Sequence, residues 1–230
     1  LRLGSLSKAA RGYWLSQGKP QQPVRPLPVL QAKPKATVEE GMQAALSLAL
    51  QHWQYHEELW LRGEPGAQQA VLEALETVRQ TFSLFGALVP RKASSQLRQK
   101  LTSLAEALEK ERLDAQAFCY SSPWLDAQLS LSSWLISAGW RPFVVGKNAD
   151  RMQGSFKRFA DIMLGRVAAD LKETFGTIRQ YNEYQDKAVR LTHQLLAVHL
   201  LAGAYPSQDV ERWLQSWQQL AQAIHANRYN

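Results

Sequence analysis

The sequence has little that could staple or hold a metal: one cysteine, Cys119, and three methionines in 230 residues. A single thiol forms no internal disulfide and no paired-cysteine metal site, which fits a reducing compartment. No run approaches the roughly 18 apolar residues that cross a bilayer, and the first residues lack the apolar core of a secretory signal. A soluble, cytoplasmic chain without a membrane partner is therefore expected. Proline is scarce in the body. Five of the ten prolines fall before residue 37, so collagen-like or proline-rich character is excluded for the remainder, while a hydrophobic content of 45% supplies a core and excludes overall disorder.

Acid is absent from residues 1–36, which hold seven Lys/Arg. The formal net charge of +7 is therefore entirely local to that stretch, and residues 37–230 carry 20 bases against 20 acids. A global field that would attract nucleic acid is excluded for the body, and any anion site must be a patch. Two patches stand out. Residues 91–100 contain Arg91, Lys92, Arg98 and Lys100 with no carboxylate, and residues 141–166 contain six bases against Asp150 and Asp161.

Residues 18–36 carry Pro20, Pro23, Pro26, Pro28 and Pro34, which fix φ and remove donors, so this stretch reads as a stiff extended linker. Residues 1–17, with Tyr13 and Trp14, read as the tail of a preceding domain. Since the chain opens on Leu1 rather than Met, a piece of a longer protein is expected. From Thr37 onward the pattern is helical. Thr37 and Glu40 form a capping box ahead of Met42, Leu46, Ala49, Trp53, His56 and Trp60. Val71 to Phe85, Leu97 to Leu108, Leu125 to Leu135, Met152 to Leu171, Tyr184 to Val198 and Trp213 to Ile224 repeat the period. Strand-like alternation is nowhere sustained, and the fold class is all-α.

Residues 69–112 and 185–228 align without a gap at an offset of 116, matching Gln69 to Gln185, Leu75 to Leu191, Pro90 to Pro206 and Arg112 to Arg228. Shared use of Leu and Ala could produce part of this. The matched prolines and the unbroken register favour a tandem duplication, with helical units over about residues 37–140 and 148–230.

No catalytic constellation emerges. The GKP and GKN strings lack the rest of a phosphate-cradling loop, and no HExxH or GxSxG occurs. His52 and His56 lie four apart beside Glu57 and could touch a metal. Among Trp53, Tyr55 and Trp60, without a third ligand, packing is the favoured reading. Cys119 lacks a partner base and reads as inert, and the tryptophans read as core.

Laid on helices, Arg151, Arg158 and Arg166 fall on one side with Lys157 on the flank, and Arg179, Lys187, Arg190 and His193 gather on another. Solvated outer faces with pairs such as Asp186 to Arg190 explain this equally well. Guanidinium forks suit phosphoryl oxygens, so a phosphate-rich ligand is the sharper expectation.

The segments LFGALVP, LLAGAYP, LRQKLTSLAEALEKERLD and WLQSWQQLAQAI resemble CHAD modules, helical domains of two four-helix repeats, over about residues 37–230. With the proline-rich linker, the chain is similar to the C-terminal part of a bacterial CYTH/CHAD inorganic triphosphatase. That resemblance implies a parent hydrolase whose N-terminal CYTH catalytic domain, the partner of this module, converts tripolyphosphate to pyrophosphate and phosphate with a divalent metal, Mg or Mn. The ExExK signature of CYTH is absent here. The nearest string, Glu109 to Arg112, sits in a helical segment, so no catalytic residue and no cofactor are assigned to this chain.

The resemblance further implies a non-catalytic accessory role with binding of inorganic polyphosphate through basic positions of each unit. The signature histidine falls on Gln69 and Gln185, and the next basic position on Leu72 and Ala188, while Arg79 and His193 remain. The candidate phosphate-binding residues are thus Arg79, Arg112, Arg151, Lys157, Arg158, Arg166, Arg179, Lys187, Arg190 and His193. The alternative is a structural or protein-interaction module without phosphate binding. Sequence-specific nucleic-acid recognition is not expected.

Overall fold

The computed structural model describes residues 13, 16, 17, 23–109, 113–176, 181–208, 210, 211, 214–216 and 219. The side chains of residues 175, 181, 182 and 184–186 are not described. The fold is all-α. Helices run over Val38–Leu61 (α1), Ala67–Leu84 (α2), Ser95–Leu108 (α3), Ala115–Cys119 (α4), Ser122–Ile136 (α5), Lys147–Met152 (α6), Phe156–Gly176 (α7) and Tyr181–Ala202 (α8), with 3-10 turns at Arg91–Ala93 and Arg141–Phe143. No strand occurs among the described residues. No helix there is long and apolar enough to cross a membrane.

Local chemistry sets the helix ends. The Thr37 hydroxyl accepts from the Glu40 N–H at 3.2 Å and starts α1 where the capping box predicts. The turn at Gly63 and Gly66, both at positive φ, separates α1 from α2, because only glycine adopts that backbone region without strain. The Asp114 carboxylate accepts from the N–H groups of Gln116 and Ala117 and caps α4, a helix too short to leave a periodic signature. Pro123 in the first turn of α5 costs no hydrogen bond.

The chain forms two compact units, with boundaries inside α1 and α2 and in the connecting segments at 28–29, 88–89 and 144–145. The first gathers the chain up to Pro28 with Leu46–Arg79 and Val89–Val144. Trp53, Leu59, Leu75, Leu101, Trp124, Leu131 and Trp140 are fully buried in it. Each such aliphatic side chain contributes about 1.5–3 kcal/mol on leaving water. Trp124 meets Trp53, Phe118 and Trp60 with ring centroids 5.3, 5.2 and 5.9 Å apart. Its indole N–H donates to Glu57 Oε1 at 2.6 Å, and the Gln128 amide donates to Oε2 at 3.1 Å, so α5 supplies donors to this buried carboxyl group of α1.

The second unit gathers Val29–Ala45, Gln80–Leu88 and the chain from Val145 onward. Phe85 stacks on Phe159 at 4.9 Å and on Phe156 at 6.5 Å, and Met42, Ala160, Leu191 and Leu201 are among the buried residues of this unit. Residues 36–38 pair with residues 154–156: the Val38 N–H donates to Gly154 O and the Phe156 N–H donates to Ala36 O, both at 2.9 Å.

The proline-rich stretch is more than a spacer. Its Pro23–Pro28 part is fastened to α1 in the first unit: Tyr55 Oη donates to Pro23 O at 2.8 Å, and the Arg25 guanidinium lies 3.9 Å from the centroid of the Tyr55 ring. Later in the stretch, within the second unit, Leu30 is buried and the Ala32 N–H donates to Gly203 O at 3.2 Å.

Candidate functional site

Helices α7 and α8 pack against each other in the second unit. Val167, Leu171 and Thr174 of α7 and Ala188, Leu191, Gln194, Leu195 and Val198 of α8 are buried, because their three- and four-residue spacings keep them on one side of each helix. Thr174 Oγ1 donates to Asp170 O at 2.8 Å and accepts from Gln194 Nε2 at 3.2 Å, a polar tie between the two helices.

The positions left outside carry the cations. Lys157, Arg158 and Arg166 of α7 and Arg190 of α8 are exposed, while Lys187 and His193 are half-buried. Ser155 caps α7 by accepting from the Arg158 N–H at 3.3 Å, which fixes the backbone at this cation. Among the described residues none of Lys157, Arg158, Arg166 and Arg190 makes an ion pair. The Arg166 guanidinium approaches Met163 Sδ at 3.8 Å. The nearby Asp161 carboxylate is engaged by the Tyr205 hydroxyl, whose pKa is raised by burial and by the bond to Asp161. Exposed guanidinium groups on one packed helix pair can offer forked donors to phosphoryl oxygens.

The structure sorts the other expected residues. Arg151 lies on α6 and not on α7. The i, i+4 match of Met152 to Phe156 suggests one helix, but residues 153–155 break it where Gly154 and Ser155 pair with residues 36–38. Arg79 is half-buried on α2, at the end of a segment of the first unit. Arg112, Arg179, Trp14 and most of the helix expected from Trp213 to Ile224 lie outside the described residues, as do the side chains of Gln185 and Asp186. Leu72 and Ala188 are core residues at 3% exposure each, so neither can face a ligand.

His56 is occupied on both ring nitrogens. Nδ1 donates to His52 O at 2.8 Å, and Nε2 accepts from the Arg25 N–H at 3.1 Å. His52 Nε2 lies 3.3 Å from Glu73 Oε2. Among the described residues no cluster of three His, Cys, Asp or Glu could hold a metal. Cys119 is buried.

The family model of the CHAD domain matches residues 44–227. The chain belongs to the CHAD domain family. The crystal structure of the CHAD domain from the plant Ricinus communis is similar, with a TM-score of 0.62 at 16% sequence identity over 88% of this chain and 78% of that one. At that identity the likeness concerns the fold. In this CHAD domain Gln69, Leu72, Gln185 and Ala188 carry no charge, and Lys157, Arg158, Arg166 and Arg190 are exposed cations of α7 and α8.

Proposed function

We propose that this CHAD domain is a non-catalytic accessory module that holds phosphate chains on the outer faces of α7 and α8. The observation that supports this reading is the set of exposed Arg158, Arg166 and Arg190 without carboxylate partners among the described residues. A polyphosphate chain presents repeated anionic oxygens at short spacing, which suits guanidinium groups carried along two adjacent helices. Gln69 and Gln185 stand where the resemblance places a histidine and supply no charge, so affinity should be lower than in members that keep it.

The proposed setting is a bacterial inorganic triphosphatase. There a CYTH domain would carry out tripolyphosphate hydrolysis with its own divalent metal, Mg or Mn, in the cytoplasm, and this module would steady it and bring phosphate chains near. Titration with tripolyphosphate and with long-chain polyphosphate at two salt concentrations tests the binding. Saturable binding that weakens steeply with salt supports it, since phosphate contacts release counterions. Undetectable or salt-independent binding leaves the structural or protein-interaction reading in its place.

A further inference from the structure

The proline-rich strap rests on a titratable ring that the phosphate reading does not use. Residues 23–33 form neither helix nor strand, and Pro23, Pro26 and Pro28 have no N–H to donate. Extended backbone of this kind supports no hydrogen-bond ladder of its own, so the strap depends on what α1 offers it. Tyr55 and His56 supply those contacts within the first unit: Tyr55 Oη holds Pro23 O, the Tyr55 ring carries the Arg25 guanidinium, and His56 Nε2 accepts the Arg25 N–H. Residues 23–26 are themselves exposed.

His56 is the contact that can change state. It is fully buried, and its neutral ring has one donor and one acceptor, both used by backbone partners. A proton added at Nε2 turns the acceptor into a donor, and two N–H groups then face each other at hydrogen-bond distance. The side of α1 cannot yield, because Trp53, Leu59 and Trp60 hold that helix in the core. The strap can, because Arg25 is exposed and its N–H passes to water. The charged groups around the ring do not remove the conflict. Burial is the first cause that holds its pKa below the ordinary value, with His52 and Arg25 adding to the fall while the bond to His52 O and Glu73 of α2 oppose it. His52 and Tyr55 of α1 lie with ring centroids 4.2 and 4.9 Å away, and Glu73 Oε2 lies 3.3 Å from His52 Nε2.

We infer that the strap is a proton-released latch: protonation of His56 detaches residues 23–26 from α1 while the helices of the first unit stay folded. A charged ring reaches water when the strap lifts, so protons favour the released form and neutral pH the docked form. By linkage the midpoint of release falls between 6.5, the ordinary value of the ring, and about 4, its value beneath the strap. The fixed φ of the prolines keeps the released strap close to its docked shape, so docking returns when the pH is raised. The inference is independent of the phosphate reading, because the strap contacts belong to the first unit and α7 and α8 to the second.

The test is amide hydrogen exchange of the full 230-residue chain, followed residue by residue by NMR from neutral pH down to about 4. The protection factor of the Arg25 N–H should fall by about tenfold or more, in step with protonation of the His56 ring read from its nitrogen shifts. The amides of Leu59 in α1 and Leu75 in α2 should keep their protection over the same range. In His56→Gln, whose amide oxygen accepts from Arg25 but takes up no proton, Arg25 protection should not depend on pH. Tyr55→Phe keeps the ring under Arg25 but removes the bond to Pro23 O, and should move the release to higher pH. Circular dichroism checks that the helices persist in both variants. The inference is overturned if Arg25 protection stays constant down to about pH 4, if it falls together with that of Leu59 and Leu75, if His56→Gln shows the same fall as the wild type, or if Tyr55→Phe leaves the pH of release unchanged.

Discussion

The backbone N–H of Arg25 donates to Nε2 of His56 across 31 residues of sequence, at 3.1 Å. Because Nδ1 of the same ring donates to His52 O, the imidazole must be neutral with its proton on Nδ1. The pKa of His56 is lowered from 6.5 to about 4, first by burial, with His52 and Arg25 adding to the fall while the bond to His52 O and Glu73 oppose it. A protonated ring would turn a second N–H against that of Arg25. The proline-rich strap is thereby coupled to a histidine that has to stay uncharged.

The unfolded chain consequently binds more protons than the folded chain between pH 6.5 and about 4. This group's contribution is fully present above pH 6.5, is lost progressively as pH falls through that window, and stays lost below it. The total is about 3 kcal/mol. Urea unfolding at a series of pH values should show this slope in the wild type and a shallower one in His56→Gln, whose amide oxygen can still accept from Arg25.

Trp124→Phe keeps a ring among Trp53, Trp60 and Phe118 but removes the donor to Glu57 Oε1. A buried acceptor loses a bond that water cannot replace, at a cost of about 1–3 kcal/mol. Denaturant midpoints should fall accordingly, with the helical circular dichroism signal retained. Gln128→Leu, which removes the weaker donor at 3.1 Å, should act in the same direction.

Gly41→Ala tests the packing of the second unit. A Cβ there would meet the Phe156 ring at 2.6 Å, and that ring is held by Phe85 and Phe159. Alanine ordinarily raises helix stability by about 1 kcal/mol over glycine. Here the clash should outweigh that gain and lower stability by about 1–3 kcal/mol, read as a fall in melting temperature.

The helices were legible because burial on one side imposes a 3.6-residue period, as in Met42, Leu46, Ala49 and Trp53. The α1 start was legible because Thr37 and Glu40 are neighbours in sequence. What the sequence hid is non-local. The break between α6 and α7 depends on residues 36–38 pairing with residues 154–156, so Arg151 looks continuous with Arg158 until that pairing is seen. The strap reads as linker because its partners, Tyr55 and His56, lie about thirty residues on. The cations of α7 and α8 were identifiable by type and spacing, while the tie of Thr174 to Gln194 joins two helices across twenty residues of sequence.

The central claim is that exposed guanidinium groups of α7 and α8 hold phosphate chains, and a double charge reversal tests it most directly. Polyphosphate affinity would be measured for the wild type and for Arg158→Glu with Arg190→Glu, at low and at physiological salt. The account predicts a loss of about tenfold or more at low salt and a shallower salt dependence in the variant, as fewer counterions are released. Equal affinity and equal salt dependence in the two proteins would contradict it.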